Sequence, residues 1–122
     1  MGLDMFLLRI KDNNDSEEVY YWRKAYPVMD WFENRFNGVG NLEDYPVTKE
    51  DFISLKNFCE KVVSDGHFHE MDEFKNIVWT SEYELTEWFD WNMDSMKSTA
   101  KFLSEFLENN EDWDNIIFKA WW

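Results

Sequence analysis

Eight Trp, eleven Phe and five Tyr sit in a 122-residue chain with 26 acidic residues against 12 basic ones; this pairing constrains the fold more than any motif. Large apolar rings drive burial, whereas disordered chains of high net charge are poor in them. The chain must therefore fold around an aromatic core while carrying a net charge of −14 at its surface. A folded protein of this mass exposes on the order of 7,000 Å², about one uncompensated negative charge per 500 Å². That field repels DNA, RNA and anionic lipid, so no direct nucleic-acid or membrane binding is expected. The length fits one domain over residues 1–122.

Cys59 is the only cysteine. It excludes an internal disulfide and a multi-thiol zinc site, fits a reducing cytoplasm, and reads as a buried small hydrophobe. The opening residues Met1 to Arg9 lack a basic segment followed by a long apolar one, and no run approaches the roughly 20 apolar residues of a membrane span. Gly2 is no myristoylation signal, because Phe6 stands where Ser or Thr is required. The expected location is the cytoplasm.

Leu3 to Ile10 is a short apolar run followed by a turn-rich stretch from Lys11 to Ser16, which predicts a buried strand and a loop. From Glu17 to Phe36 the apolar residues Trp22, Tyr26, Met29, Phe32 and Phe36 recur at helical steps, ending at Asn37-Gly38. This predicts a first helix that Pro27 kinks or splits. After a loop from Asn37 to Pro46, Thr48 and Asp51 form an N-cap with an acidic first turn. Phe52, Leu55, Cys59, Val62 and Val63 then line one face of a second helix as far as Gly66. Asn76 to Thr80 reads as a strand, and Ser81 with Glu84 as a capping box. The box opens a third helix with a stripe through Leu85, Trp88, Phe89, Met96, Ala100, Leu103, Phe106 and Leu107. Residues Asn115 to Trp122 read as a last strand. The expected fold is α+β: a small antiparallel sheet of about three strands with about three helices packed on it. Trp121 and Trp122 are either packed on a helix or offered to a partner, and packing is the favoured expectation.

Gly2-Leu3-Asp4-Met5-Phe6-Leu7, the run Glu18 to Ala25, Tyr45 to Asp51, Thr80 to Tyr83 and the aromatic C-terminus together resemble a family of small phage and prophage proteins. Its members open MGLDMYL and carry a YWRKA helix. The resemblance covers most of the chain in order, and Tyr21-Trp22-Arg23-Lys24-Ala25 is its most specific part. The chain departs from the pattern at Pro27 and in lacking a Gly- and Phe-rich turn before the third helix. The resemblance implies a phage or mobile-element origin and action in the cytoplasm of an infected bacterium. It supplies no activity and no catalytic residues.

Chemistry-bearing motifs are sparse. His67-Phe68-His69 with Glu70 and Asp72 is a weak metal-ligand pattern without a third soft donor, and no metal or cofactor is expected. Four Gly and two His leave no phosphate loop, nucleophile elbow or triad to defend, so an enzyme is unsupported and no catalytic residues are assigned. Arg23 and Lys24 interrupt an aromatic segment. They serve either an ion pair of Arg23 with Glu18 or Glu82, or an anion or nucleotide site with Tyr20, Tyr21 and Trp22 stacking on a base.

The acidic residues cluster, and Glu87, Asp90 and Asp94 recur at helical spacing. They form either a solvated face that maintains solubility or a surface imitating the phosphate rows of nucleic acid. The preferred expectation is an acidic phage-type protein that binds and inhibits a bacterial nucleic-acid-handling protein with a basic groove. Candidate targets are a CRISPR effector, making the protein an anti-CRISPR DNA mimic, another defence nuclease or a polymerase. Its contacts would be Glu84, Glu87, Asp90, Asp94, Glu108, Glu111 and Asp112, with Trp91 and Trp113 as aromatic anchors. The alternative is a ligand- or nucleotide-sequestering module built on Tyr20, Tyr21, Trp22, Arg23 and Lys24; a homodimer through exposed aromatics is a third arrangement.

Overall fold

The computed structural model describes residues 3–12, 15–66 and 82–122, and for 82–88 the backbone only. The elements are β1 (Asp4–Ile10), β2 (Ser16–Arg23), α1 (Tyr26–Phe36), β3 (Tyr45–Pro46), α2 (Lys49–Asp65), α3 (Glu82–Asn109) and β4 (Ile116–Trp121). Among the described residues this is an α+β domain, with one antiparallel sheet in the order β2-β1-β4-β3 and three helices.

The largest departure from the sequence reading lies between Glu17 and Phe36, where a strand replaces the first half of the expected helix. Val19, Tyr20, Tyr21 and Trp22 are the β-branched and aromatic types that suit a pleated, half-buried surface. Trp22 is buried and Tyr20 half-buried, while Tyr21 and Arg23 are exposed, a period of two. The chain then turns at Lys24, whose φ is 52° and whose N–H donates to Leu3 O at 2.6 Å. Pro27 falls in the first turn of α1, where its missing N–H breaks no helical hydrogen bond. It starts a helix and kinks none. Asn37, in the left-handed conformation, ends α1 as expected.

The expected loop from Asn37 to Pro46 contains β3, which pairs Tyr45 with Phe118 and Pro46 with Ile117. Thr48 forms a full capping box with Asp51, and α2 ends at Gly66 with φ 75°; only glycine enters that region without a Cβ penalty. The expected strand Asn76 to Thr80 and the Ser81 cap lie outside the described residues.

All three helices cover the same face of the sheet. β1 sends Met5 and Leu7 to that side, β4 sends Ile116, Phe118 and Ala120, and β2 sends Trp22. Phe32 of α1 stacks on Phe118 at 3.8 Å and meets Trp22 edge-on at 6.1 Å. Phe102 of α3 stacks on Tyr20 at 4.1 Å, and Phe52, Phe106 and Trp113 form a second ring cluster between α2 and α3. Phe52, Leu55, Cys59 and Val62 of α2, with Met96 and Leu103 of α3, complete the core. Strand periodicity sends Phe6, Leu8, Tyr21, Ile117, Lys119 and Trp121 to the opposite face, which these helices leave uncovered. Trp121 and Trp122 are 55% and 41% exposed. The expectation that they pack on a helix is corrected: Trp121 stands on the open face, and the Trp122 N–H donates to Asn41 Oδ1 at 2.9 Å.

Candidate functional site

The expected contact residues divide between the first half and the end of α3. Asp90 and Asp94 are exposed in its first half, and Glu108 is exposed near its end. At 1.5 Å rise per residue, Asp90 and Glu108 stand about 27 Å apart along the axis. The side chains of Glu84 and Glu87 lie outside the described residues. Steps of three and four place Asp90, Asp94, Lys97, Lys101, Glu105 and Glu108, all exposed, on one outward stripe. Its order is two acids, two lysines, two acids. A phosphate row has no such cationic interruption, a feature the spacing of Glu87, Asp90 and Asp94 gave no reason to look for.

Beyond α3, Glu111 and Asp112 are both exposed, and Asp112 also pairs with Arg9. Arg9 Nη1 lies 3.4 Å from the Asp112 carboxylate and donates to the Asp112 carbonyl at 2.9 Å, and Arg9 Nη2 donates to Asn110 Oδ1 at 2.7 Å. Arg9 thus clamps the α3–β4 connection to β1, and the charge of Asp112 is partly offset. Trp113 is half-buried in the Phe52–Phe106 cluster with Lys49 Nζ 6.0 Å from its ring. It also walls a groove of about 550 Å³ with Ile10, Pro46 and Ile117.

Trp91 is 52% exposed, and its indole N–H donates to Arg23 O at 3.1 Å. That bond brings the two expected sites together: Tyr20, Tyr21, Trp22 and Arg23 line a cleft of about 240 Å³ with Trp91, Asp94, Ser95 and Ser98. The Arg23/Lys24 segment, expected as an aromatic helix, is the end of strand β2 and the turn after it. Trp22 is only 3% exposed and donates from Nε1 to Thr99 Oγ1 at 2.8 Å; its ring belongs to the core. Burial pushes the Tyr20 phenol above its ordinary value. The Tyr21 hydroxyl donates to Asp4 Oδ1, and that bond raises its pKa. A stacking ligand in this cleft therefore has Tyr21 and Trp91 available, while Asp94 opposes a phosphate beside Arg23. Arg23 makes no ion pair with Glu18, and the side chain of its other expected partner, Glu82, is outside the described residues.

His67, His69, Glu70 and Asp72, the weak metal pattern, also lie outside the described residues. Among those described, no cluster of three His, Cys, Asp or Glu is placed to hold a metal ion, and no helix is long and apolar enough to cross a membrane. No protein-family model, curated protein or solved structure matches this chain.

Proposed function

We propose that the protein is an acidic phage-type inhibitor acting by binding a cationic bacterial protein, with the nucleic-acid groove of a defence nuclease, a CRISPR effector or a polymerase as its seat. The observation that carries the reading is the pairing of exposed Asp90 and Asp94 with exposed Glu105 and Glu108 on one stripe of a 28-residue helix, in a chain of net charge −14. A helix of that length is a rod of about 42 Å. Two acidic pairs bracketing Lys97 and Lys101 suit a groove with two cationic walls better than a continuous phosphate track. Charge complementarity of this kind acts mainly on encounter rate and partner choice, and screening weakens it as salt rises.

The test is phage plating on bacterial hosts that each carry one nuclease-based defence, with and without the protein. Rescue of plating on at least one host is expected, and Asp90→Lys with Asp94→Lys should abolish that rescue while circular dichroism stays unchanged. No rescue across the panel, or equal rescue by the variant, contradicts the inhibitor reading.

A further inference from the structure

We propose that the open face of the sheet is a second docking surface of the protein, on the side away from the outward stripe of α3, and that it takes an apolar projection from a cationic protein surface. The proposal rests on the reading of the protein as a binder of cationic partners.

The face follows from the strand register. Asp4 pairs with Trp121, Phe6 with Lys119 and Leu8 with Ile117 across β1 and β4, and Phe6 pairs with Tyr21 across β1 and β2. Since Met5, Leu7, Ile116, Phe118 and Ala120 are spent on the core, their neighbours form a second, outward layer. Phe6 and Tyr21 are in ring contact at 5.2 Å. Tyr21 is 41% and Trp121 55% exposed, and Tyr and Trp are the side chains that most often anchor interfaces. The patch is also concave at one end, because Ile10, Pro46 and Ile117 descend into the 550 Å³ groove that ends at Trp113. The sheet surface thus runs into a seat large enough for an apolar side chain.

Area and charge identify the occupant. Three strands of six to eight residues, with the two-residue β3 at one edge, span about 20 Å by 15 Å, or about 300 Å². A stable interface needs about 800 Å² from each partner, so the rim must take part. That rim is acidic on balance: Asp12, Asp15, Glu17 and Glu18 outnumber Lys11 at the β1–β2 end, all exposed, and Glu43 and Asp44 are exposed beside β3. Lys119, the cation in the middle of the face, is held by Asp44 at 3.1 Å, and exposed Arg23 and Lys24 stand at one corner. A second copy of the chain would set one acidic rim against another across an area too small to compensate. A protein with an apolar knob in a basic surround matches both centre and rim, and nucleic acid matches neither.

The experiment is selection of displayed 12-residue peptides on the immobilised protein, followed by affinity measurements with the enriched peptides. Sequences combining Lys or Arg with apolar residues are expected, with binding weakened at least tenfold by Trp121→Ala and by Tyr21→Ala. Ile53→Ala, an exposed apolar position on α2, should leave binding unchanged, and circular dichroism confirms that each variant is folded. Cationic peptides that bind regardless of Trp121 and Tyr21 overturn the face and leave the broader reading standing. Enrichment of acidic or uncharged peptides overturns the reading itself. Absence of any enrichment, or a dimer in sedimentation that Trp121→Ala dissolves, overturns the proposed occupant.

Discussion

The carboxylate of Asp51 joins two helices at one point. It accepts from the Thr48 N–H at 2.9 Å within the α2 capping box, and from Nε and Nη2 of Arg35 in the last turn of α1. The side chain is almost fully buried, so removing it deletes a cap and leaves the Arg35 guanidinium without its counter-charge. Because Arg35 is 44% exposed and water takes up its freed guanidinium, Asp51→Ala should cost about 1–2 kcal/mol in urea unfolding; a loss below about 0.5 kcal/mol would show that the two contacts carry little. Cys59 is a buried thiol whose pKa burial pushes from the ordinary 9.0 up to about 12. The thiolate is the reactive form, so a disulfide reagent at pH 8 should leave the native protein unlabelled and label it rapidly once unfolded. The same shift links to stability. The unfolded thiol gives up its proton first as pH climbs past about 9, so stability falls between about pH 9 and 12, by at most about 1.4 kcal/mol per pH unit. Cys59→Ala should flatten that slope, and an unchanged slope would assign it to other groups such as Tyr20.

At the scale of elements, Pro27 is the most instructive residue. In a helix running from Glu17 it would interrupt the interior, and replacing it would stabilise the protein by about 3 kcal/mol. In the first turn of α1 it removes no hydrogen bond, so Pro27→Ala should change stability by less than about 1 kcal/mol; a gain near 3 kcal/mol would contradict the observed start. The sequence misled here because Trp22, Tyr26, Met29 and Phe32 happen to follow helical steps across a strand, a turn and a helix. The corrective signal was present in the alternation of Tyr20 and Trp22 with Tyr21 and Arg23, together with a proline that favours a helix start. Elements with local punctuation were legible: β1 from its apolar run, α2 from Thr48, Asp51 and Gly66, and the stripe of α3 through Met96 and Leu103. β3 was not, because two residues carry no periodicity and their pairing with Phe118 and Ile117 joins segments far apart in sequence. Acidic clustering on α3 was also legible, but Lys97 and Lys101 show their meaning only when placed on the same stripe. The meeting of Trp91 with Arg23, and the clamp of Arg9 on Asp112, are tertiary contacts that no local pattern announces.

For the whole molecule, the layering separates two surfaces of different character. One side of the sheet is covered by three helices whose outer faces carry much of the charge; the other presents Phe6, Tyr21, Ile117 and Trp121 within an acidic rim. At a net charge of −14 the partner we propose is a basic protein. The most direct measurement is capture from nuclease-treated bacterial lysate on the immobilised protein across a salt gradient, with mass spectrometry of what elutes. The expected result is a nucleic-acid-handling protein that is retained at low salt, released as screening shortens the electrostatic range below about 10 Å, and lost when Asp90 and Asp94 are both changed to Lys. Retention that is indifferent to salt and to those substitutions, or retention of proteins without a basic surface, would contradict it.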